Sequence, residues 1–302
     1  MPFRLLAASL LAAAAWADVV TDVRAALAKS NFPLAVSLVQ NYRAQKGVTS
    51  ELIEAVSWLG RGSLAAKNLD QAEAYAKEAQ NLALGELKRR PLDAEPHLPL
   101  ALGAAIEVQA QIMNERGERA EAVAFLRKEL ARYRSTSMRA RLQKNINLLS
   151  LEGKVAPALD EHEFLGSKPV PLSALKGSPV LVFFWAHWCP DCKQEVAILT
   201  QIEKEYASNH LMIVAPTQRY GYTARGEEAS PADELKYIDE VRHKFYHDLL
   251  DIPAPVSEEN FKNYGASTTP TLVLIDRQGI VRLYHPGAMT LEELRAAINR
   301  LG

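Results

Sequence analysis

The chain has 302 residues, of which 48% are hydrophobic and 24% are charged, a composition typical of globular proteins. This length favours two domains. Lysine and arginine number 35 against 36 aspartates and glutamates, so the formal net charge of −1 provides no electrostatic basis for binding nucleic acid or an anionic membrane. The two cysteines, Cys189 and Cys192, are too few for a small scaffold held together by disulfides.

Residues 1–17 have the three parts of a secretory signal peptide. Arg4 provides the positive charge, residues 5–15 are apolar or small apart from Ser9, and Ala15-Trp16-Ala17 matches a cleavage site. The apolar run is too short to span a bilayer as a helix, which needs about 20 residues. We therefore expect export to the periplasm or beyond, with a soluble mature chain starting at Asp18. An uncleaved anchor or a buried first helix is the alternative.

Residues 18–152 are predicted to form an all-helical domain. They are rich in Ala, Leu, Glu, Lys, Arg and Gln, which are strong helix formers, and apolar residues recur at helical spacing. The predicted breaks between helices are Gly47, Gly60–Gly62, residues 91–99 and Gly117. Residues 59–79 and 116–122 resemble degenerate tetratricopeptide repeats, although their spacing does not match that repeat's period. The alternatives are helical hairpins of this kind, which could bind a protein partner or mediate self-association, and an irregular helical bundle.

The composition changes near Gly153, which predicts a second domain over residues 153–302. Short apolar runs typical of buried strands alternate there with helical patterns. The predicted strands are residues 180–185, 211–215, 271–275 and 280–284, and the predicted helices are residues 193–207 and 291–301. Two strands joined by a helix, followed by a hairpin and a helix, indicate an α/β layered domain.

Cys189-Pro190-Asp191-Cys192 lies between the first predicted strand and the helix that follows. This position puts Cys189 at a helix N-terminus, where unpaired N–H groups and the helix dipole stabilise a thiolate. Cys192 follows one turn later, close enough to close a disulfide and more buried. A structural zinc site would need further ligands that this chain's cysteines do not provide, so the motif favours redox chemistry with no metal and no cofactor.

Thr268-Thr269-Pro270-Thr271 directly precedes the third predicted strand. A proline that starts a strand after a loop is a candidate for a cis peptide bond. We expect the Thr269–Pro270 bond to be cis, with Pro270 against the cysteine pair.

These motifs together resemble the thioredoxin superfamily, specifically its periplasmic TlpA-like and ResA-like thiol–disulfide oxidoreductases. The resemblance is carried by Trp185-Ala186-His187-Trp188-Cys189-Pro190-Asp191-Cys192, by Thr269-Pro270, and by Leu274-Ile275-Asp276 with Gly279. It covers about half of the chain. It implies an α/β thioredoxin-like domain, in which helices flank a central mixed sheet, preceded by the all-α helical-hairpin domain.

The resemblance also implies roles for individual residues. Cys189 would be the attacking cysteine and Cys192 the resolving one, while Pro270 and the backbone of Thr269 would face them and pair with the substrate chain. Glu195 occupies the position of a glutamate that is linked to cysteine acidity in ResA-like proteins, and a solvated helix residue is its alternative. Phe183 replaces the buried aspartate of thioredoxin, which strengthens the case for Glu195. The residues expected to contact substrate are Trp188, Pro190, Asp191 and Thr269.

Two further features lie near the motif. His187 could favour the Cys189 thiolate when protonated, but an exposed loop histidine is the expectation. Residues 216–260 resemble the insertion of exported members of the superfamily.

The expected activity is exchange of disulfides with protein disulfide or dithiol substrates. Negative charge on Asp191 and Glu195 would destabilise the reduced form and favours a reductase, which outside the cytoplasm needs an electron donor such as a membrane thiol carrier. One alternative is a binding protein whose helical domain recruits a partner and whose redox domain is a passenger. Another is copper delivery, although thioredoxin-like copper carriers use a C-x-x-x-C spacing.

Overall fold

The computed structural model describes residues 18–301, so the predicted signal peptide, residues 1–17, lies outside the described residues. The described chain divides between Ile112 and Met113 into two compact units. The first unit is helical, and the second combines helices with the β-strands.

The helices that begin in the first unit are stabilised at their N-termini by polar side chains. Asn31, Thr49 and Asn68 each accept a hydrogen bond from a backbone N–H of the helix that follows. The prediction of a helical N-terminal region is therefore confirmed. The helices are α1 (Val19–Ala28), α2 (Phe32–Lys46), α3 (Ser50–Ala65), α4 (Leu69–Glu86) and α5 (His97–Glu115).

Helices α3 and α4 approach closely through small residues. α4 presents a buried stripe formed by Ala72, Ala76, Ala79 and Ala83. A Cβ added to Gly60 would lie 3.4 Å from the backbone nitrogen of Ala76, which is an ordinary contact distance. The predicted helix break at Gly60–Gly62 is wrong, because both glycines lie inside α3. A Cβ added to Gly62 would lie 2.7 Å from Cδ2 of Leu27 on α1, so the missing side chain makes room for α1 there.

The second unit contains the remaining helices and all six strands of the described residues. Gly117, a predicted break, lies between α5 and the first of these helices. The helices are α6 (Arg119–Arg132), α7 (Arg139–Ser150), α8 (Pro190–Glu205), α9 (Pro231–Phe245), α10 (Glu258–Tyr264) and α11 (Leu291–Asn299). The strands are β1 (Phe164–Leu165), β2 (Val180–Phe184), β3 (Met212–Val214), β4 (Ala254–Pro255), β5 (Thr271–Ile275) and β6 (Val281–Pro286).

The main sheet has the strand order β3-β2-β5-β6. β2 is parallel to β3, with α8 between them in the chain, and is antiparallel to β5, where Val182 pairs with Val273. β5 and β6 form an antiparallel hairpin. β1 and β4 pair separately as a short antiparallel ribbon. The mixed sheet, the β-α-β unit and the hairpin are as predicted.

Strand β2 is buried on both faces, as its continuous apolar sequence predicts. On one face, Leu181 and Phe183 pack in a cluster with residues of α8 and α11. On the other, Val182 and Phe184 pack with Phe261 of α10 and neighbouring residues. Burial of each such side chain stabilises the fold by about 1.5–3 kcal/mol, so the two clusters hold the end of β2 firmly where the motif begins.

Helix α7 packs within the sheet-containing unit. The boundary between the two compact units therefore lies earlier in the chain than the predicted boundary at Gly153. Nδ2 of Asn147 donates a hydrogen bond of 2.8 Å to the carbonyl oxygen of Tyr264. Gly265 has a φ of 62°, and a Cβ there would overlap the backbone of Lys144. Because α7 covers α10 in this way, residues 113–152 group with the sheet although their composition is helical.

Candidate active site

The loop after β2 is fixed by hydrogen bonds to the segment that follows β3. Nε1 of Trp185 donates to the carbonyl oxygen of Ala215 at 2.9 Å, and Oγ1 of Thr217 donates to the carbonyl oxygen of Trp185 at 3.0 Å. Within the loop, the backbone N–H of Cys189 donates to the carbonyl oxygen of Ala186 at 3.1 Å. The motif therefore begins from a rigid position.

Cys189 is the N-cap residue of α8, and Pro190 is the first residue of the helix. Sγ of Cys189 accepts a hydrogen bond from the backbone N–H of Cys192 at 3.1 Å, and the two cysteines form a disulfide with their Cα atoms 5.3 Å apart. Proline suits this position because its missing N–H has no partner in the first turn. In the reduced protein, the same N–H group and the helix dipole would stabilise a thiolate on Cys189.

The Thr269–Pro270 peptide bond is cis, as predicted. The carbonyl oxygen of Thr269 lies 3.5 Å from Sγ of Cys189, which brings this segment against the cysteine pair. Two hydrogen bonds hold this segment. Oγ1 of Thr271 donates to the carbonyl oxygen of Thr268, and the backbone N–H of Gly287 donates to the carbonyl oxygen of Pro270. The two motifs, far apart in sequence, therefore meet at one site.

Glu195 is buried, with 2% of its surface exposed, so the alternative of a solvated helix residue is excluded. It follows Cys192 by three residues on α8 and therefore lies on the same side of the helix. Its Oε1 accepts a hydrogen bond of 3.2 Å from the backbone N–H of Met289. Burial raises the pKa of Glu195 to about 7 against the opposing effect of this hydrogen bond, and the charges of Asp191 and Glu293 add to the rise. Glu195 can therefore exchange a proton near neutral pH.

Trp188, Pro190 and Asp191 are exposed around the cysteine pair. The Trp188 ring is 46% exposed and packs edge-on against Tyr220, with ring centroids 5.5 Å apart. Asp191 lies in the first turn of α8. These residues are available to a docking partner, in agreement with the expectation that they contact substrate, which stays a prediction.

His187 differs from expectation: it is buried, with 1% exposure, and the prediction of an exposed loop histidine is wrong. Residues of the inserted segment cover it, because the rings of Tyr220, Tyr222 and Tyr237 surround its imidazole edge-on at 5.3–5.6 Å. Burial lowers its pKa, although the carboxylate of Glu234 acts in the opposite direction. Glu234 was not predicted as part of this site, since no pattern around it in the sequence indicates that it lies beside His187.

Within residues 18–301, no group of three or more histidine, cysteine, aspartate or glutamate side chains is arranged to hold a metal ion. Over the same residues, no helix combines the length and apolar character needed to cross a membrane.

Comparison with known proteins gives matches of three kinds. A family model described as a thioredoxin-like domain matches residues 172–302. The thioredoxin-like protein YneN of Bacillus subtilis (strain 168) is 27% identical over 151 residues, which cover 49% of this chain and 79% of YneN. The thiol-disulfide oxidoreductase ResA of Bacillus thuringiensis subsp. konkukian (strain 97-27) is 27% identical over 153 residues, covering 49% of this chain and 78% of ResA.

Among solved structures, a thiol:disulfide interchange protein of the thioredoxin family from Chlorobium tepidum TLS superposes with a TM-score of 0.39. Its sequence is 20% identical, and the match covers 50% of this chain and 97% of that one. The family model covers the cysteine motif, the cis-proline segment and the hairpin, and it begins after the helical region.

Proposed function

Because residues 172–302 are a thioredoxin-like domain with thiol–disulfide oxidoreductase homologues, we propose that this protein is an exported reductase of protein disulfides. One observation carries the proposal. Cys189 is the N-cap residue of α8, its Sγ accepts the N–H of Cys192, and the carbonyl oxygen of Thr269 lies 3.5 Å from that sulfur. The helix N-terminus would activate Sγ of Cys189 for attack. The backbone at Thr269, beside this sulfur, would pair with the substrate chain.

The reaction is two successive thiol–disulfide exchanges. The Cys189 thiolate attacks one sulfur of the target disulfide, which forms a mixed disulfide and releases the other target sulfur as a thiolate. Cys192 then loses its proton and attacks Sγ of Cys189, which forms the Cys189–Cys192 disulfide and releases the second target thiolate. Two electrons pass to the target, and the two released thiolates take up protons.

Glu195 is proposed as the group that accepts the Cys192 proton. It lies three residues beyond Cys192 on the same side of α8, and a pKa of about 7 matches a base that works near neutral pH. Phe183 on β2 is buried and apolar, so this position cannot accept a proton.

The substrate chain is proposed to lie across Thr269 and Pro270 in an extended conformation. Main-chain hydrogen bonds to an exposed backbone segment bind polypeptides without requiring a particular sequence. Trp188, Pro190 and Asp191 surround the sulfur and would contact side chains on either side of the target cysteine. This mode of binding favours protein substrates over small disulfides.

Reduction is the proposed direction because negative charge lies near the sulfurs. Asp191, in the first turn of α8, and Glu195 in its ionised form both destabilise a thiolate on Cys189 and so disfavour the reduced protein. We expect a reduction potential nearer the roughly −270 mV of thioredoxin than the roughly −120 mV of the oxidant DsbA. Turnover then requires a thiol electron donor, which we propose to be a membrane protein.

The test combines turnover with trapping. The purified protein should reduce insulin disulfides with dithiothreitol as electron source, and its potential should be measured against glutathione. Cys192→Ser should accumulate mixed disulfides with its protein substrates in cells, whereas Cys189→Ser should trap none and provides the matched control. A potential near that of DsbA would contradict reduction, and failure of Cys192→Ser to trap any protein would contradict a protein substrate.

Copper binding should be measured on the same preparation, because high affinity would favour copper delivery.

Export is proposed from residues 1–17 and needs its own measurement. Fusion of these residues to a reporter that is active only outside the cytoplasm should give activity, and mass spectrometry of the exported full-length protein should find Asp18 at the new N-terminus. A reporter that stays inactive would contradict export.

The helical unit is proposed to bind a protein partner or a second copy of this chain. A cavity lined by Leu27, Phe32 and Trp58, from α1, α2 and α3, supports this proposal, because grooves between helices commonly bind peptides or other helices. Measurement of the protein's mass in solution and crosslinking in cells would test the two cases. A monomer that crosslinks to no other protein would contradict both.

A further inference from the structure

The imidazole of His187 lies in a cage of tyrosines next to the active-site cysteine. The rings of Tyr220, Tyr222 and Tyr237 approach it edge-on, with ring centroids 5.6, 5.3 and 5.3 Å away. Two of these tyrosines belong to the segment after β3, and the third to α9. A histidine two residues before Cys189 is thus surrounded by side chains of residues 220–237.

Glu234 connects the same elements by hydrogen bonds. It is 1% exposed, and its two carboxylate oxygens accept hydrogen bonds from the backbone N–H groups of Tyr220 and Gly221. Nε2 of His187 lies 3.4 Å from Oε1 of Glu234 and, among the described residues, makes no hydrogen bond. A buried carboxylate and a buried ring nitrogen each carry an energetic penalty unless they are paired. The two backbone N–H groups satisfy the carboxylate, and its Oε1 is an acceptor close to Nε2 of the imidazole.

Other charged groups have a smaller effect on this pair. The ammonium of Lys193 on α8 opposes protonation of His187, in the same direction as burial. Burial is the largest influence and lowers the pKa of His187, which favours the uncharged imidazole and suits a ring surrounded by aromatic side chains. It can then act as a hydrogen-bond donor from Nε2 towards Glu234.

The pair lies next to an aromatic surface beside Cys189, in which Trp188 is exposed and the two tyrosines are half-buried. This surface, here called the aromatic platform, is formed by Trp188, Tyr220 and Tyr222. The ring centroid of Tyr220 lies 5.5 Å from that of Trp188 and 6.3 Å from that of Tyr222. Trp188 directly follows His187, and Tyr220 donates its backbone N–H to Glu234. Movement of either His187 or Glu234 would therefore move one half of the platform relative to the other.

We propose that His187 and Glu234 are a positioning pair that holds the aromatic platform in place, so that an apolar or aromatic side chain of the substrate polypeptide binds next to its target disulfide. The inference rests on the proposed function, since it specifies the substrate side chains that the same site accepts. Aromatic side chains provide large apolar contact area at small entropic cost, which suits a platform that must accept varied sequences.

The experiment is a double-mutant cycle on His187→Phe and Glu234→Gln. Phenylalanine fills the tyrosine cage but has no Nε2, and glutamine removes the charge of Glu234 while keeping an acceptor for Gly221. Each substitution should raise KM for insulin by about three- to tenfold, the change expected when one aromatic contact is lost. The rate of reaction of the reduced protein with a small aromatic disulfide should stay within about twofold, since small disulfides need no platform. Glu240→Gln, an exposed carboxylate on α9, is the matched control and should change neither value.

A second readout follows Trp188 directly and does not depend on turnover. The emission of Trp188, obtained by subtracting the spectrum of the matching Trp188→Phe protein, should be quenched more by acrylamide in both variants than in the wild type. The double variant should resemble the more affected single variant, because the two residues act as one unit.

Several results would overturn the proposal. Unchanged KM and quenching in folded variants would remove the positioning role, and additive effects would show that the residues act separately. An equal loss of rate with the small disulfide would assign the pair to the chemistry of Cys189 instead. If neither variant folds, the pair serves folding. A wild type that reacts with the small disulfide but not with insulin would refute the proposed function, while acrylamide quenching would still decide the positioning role.

Discussion

Replacing Glu195 with glutamine should change how the stability of the oxidised protein depends on pH. Glu195 is buried and its pKa is raised to about 7 from an ordinary 4.5, because burial disfavours the charged carboxylate. In the disulfide form neither Cys189 nor Cys192 titrates, so the oxidised protein separates the effect of Glu195 from that of the thiols.

The direction and size of the effect follow from proton linkage. Because the folded-state pKa lies above that of the unfolded chain, the protonated carboxyl stabilises the fold below pH 4.5, and this contribution is lost as pH rises through about 7. The two pKa values correspond to a loss of about 3 kcal/mol in the free energy of unfolding. Glutamine does not ionise. The unfolding free energy of Glu195→Gln relative to the wild type should therefore rise by up to about 3 kcal/mol as the pH increases from 5 to 8.5.

The assay is urea unfolding of both oxidised proteins across this pH range. The quantity to compare is the difference in unfolding free energy between variant and wild type, since other groups, such as His187, cancel in that difference. Glu240→Gln, which removes an exposed carboxylate, should give a difference that stays flat with pH. If the Glu195→Gln difference is also flat between pH 6 and pH 8.5, the ionisation of Glu195 near neutral pH is refuted, and with it the proposed proton acceptor.

Three further predictions concern reactivity, packing and the limits of the redox unit. In the reduced protein, Cys189 should be alkylated faster than Cys192, measured by mass spectrometry of the labelled peptides; equal rates would contradict its role as nucleophile. Gly265→Ala should lower the unfolding free energy by at least about 2 kcal/mol, because its φ is positive and a Cβ would overlap the backbone of α7; an unchanged melting temperature would contradict that packing. A chain starting at Met113 should fold and reduce insulin, whereas one starting at Gly153 loses α7 and should aggregate or melt at lower temperature. Equal melting temperatures of the two chains would contradict the role of α7.

The central sheet and the cysteine motif could be predicted because their signals are local. Val180 to Phe184 is an unbroken apolar run, and such a run in a short segment fits a strand buried on both faces. Thr271 to Ile275 matches its predicted bounds at both ends. The position of Cys189 at the start of α8 follows from the change of pattern between a strand and an amphipathic helix.

The break predicted at Gly60–Gly62 was wrong because glycine has two opposite meanings in a helical sequence. It ends helices when the chain needs a positive φ, and it remains inside them when a neighbouring helix must approach closely. At Gly62 the close neighbour is the side chain of Leu27 on α1. Nothing within α3 distinguishes these cases, since the deciding contact comes from another helix.

His187 and α7 illustrate the same difficulty over longer distances. The burial of His187 depends on residues that follow it by 33 positions or more, from Tyr220 onward, and no pattern around His187 indicates that they fold back over it. Likewise α7 has an ordinary helical sequence, and its contacts with α10 include the amide of Asn147, the ion pair of Arg139 with Glu259, and the close approach to Gly265. Hydrophobic periodicity reports that a face is buried but not which element buries it. Local patterns in this chain therefore sufficed to find the reacting sulfurs, whereas the side chains proposed to set the surface around them required the tertiary contacts.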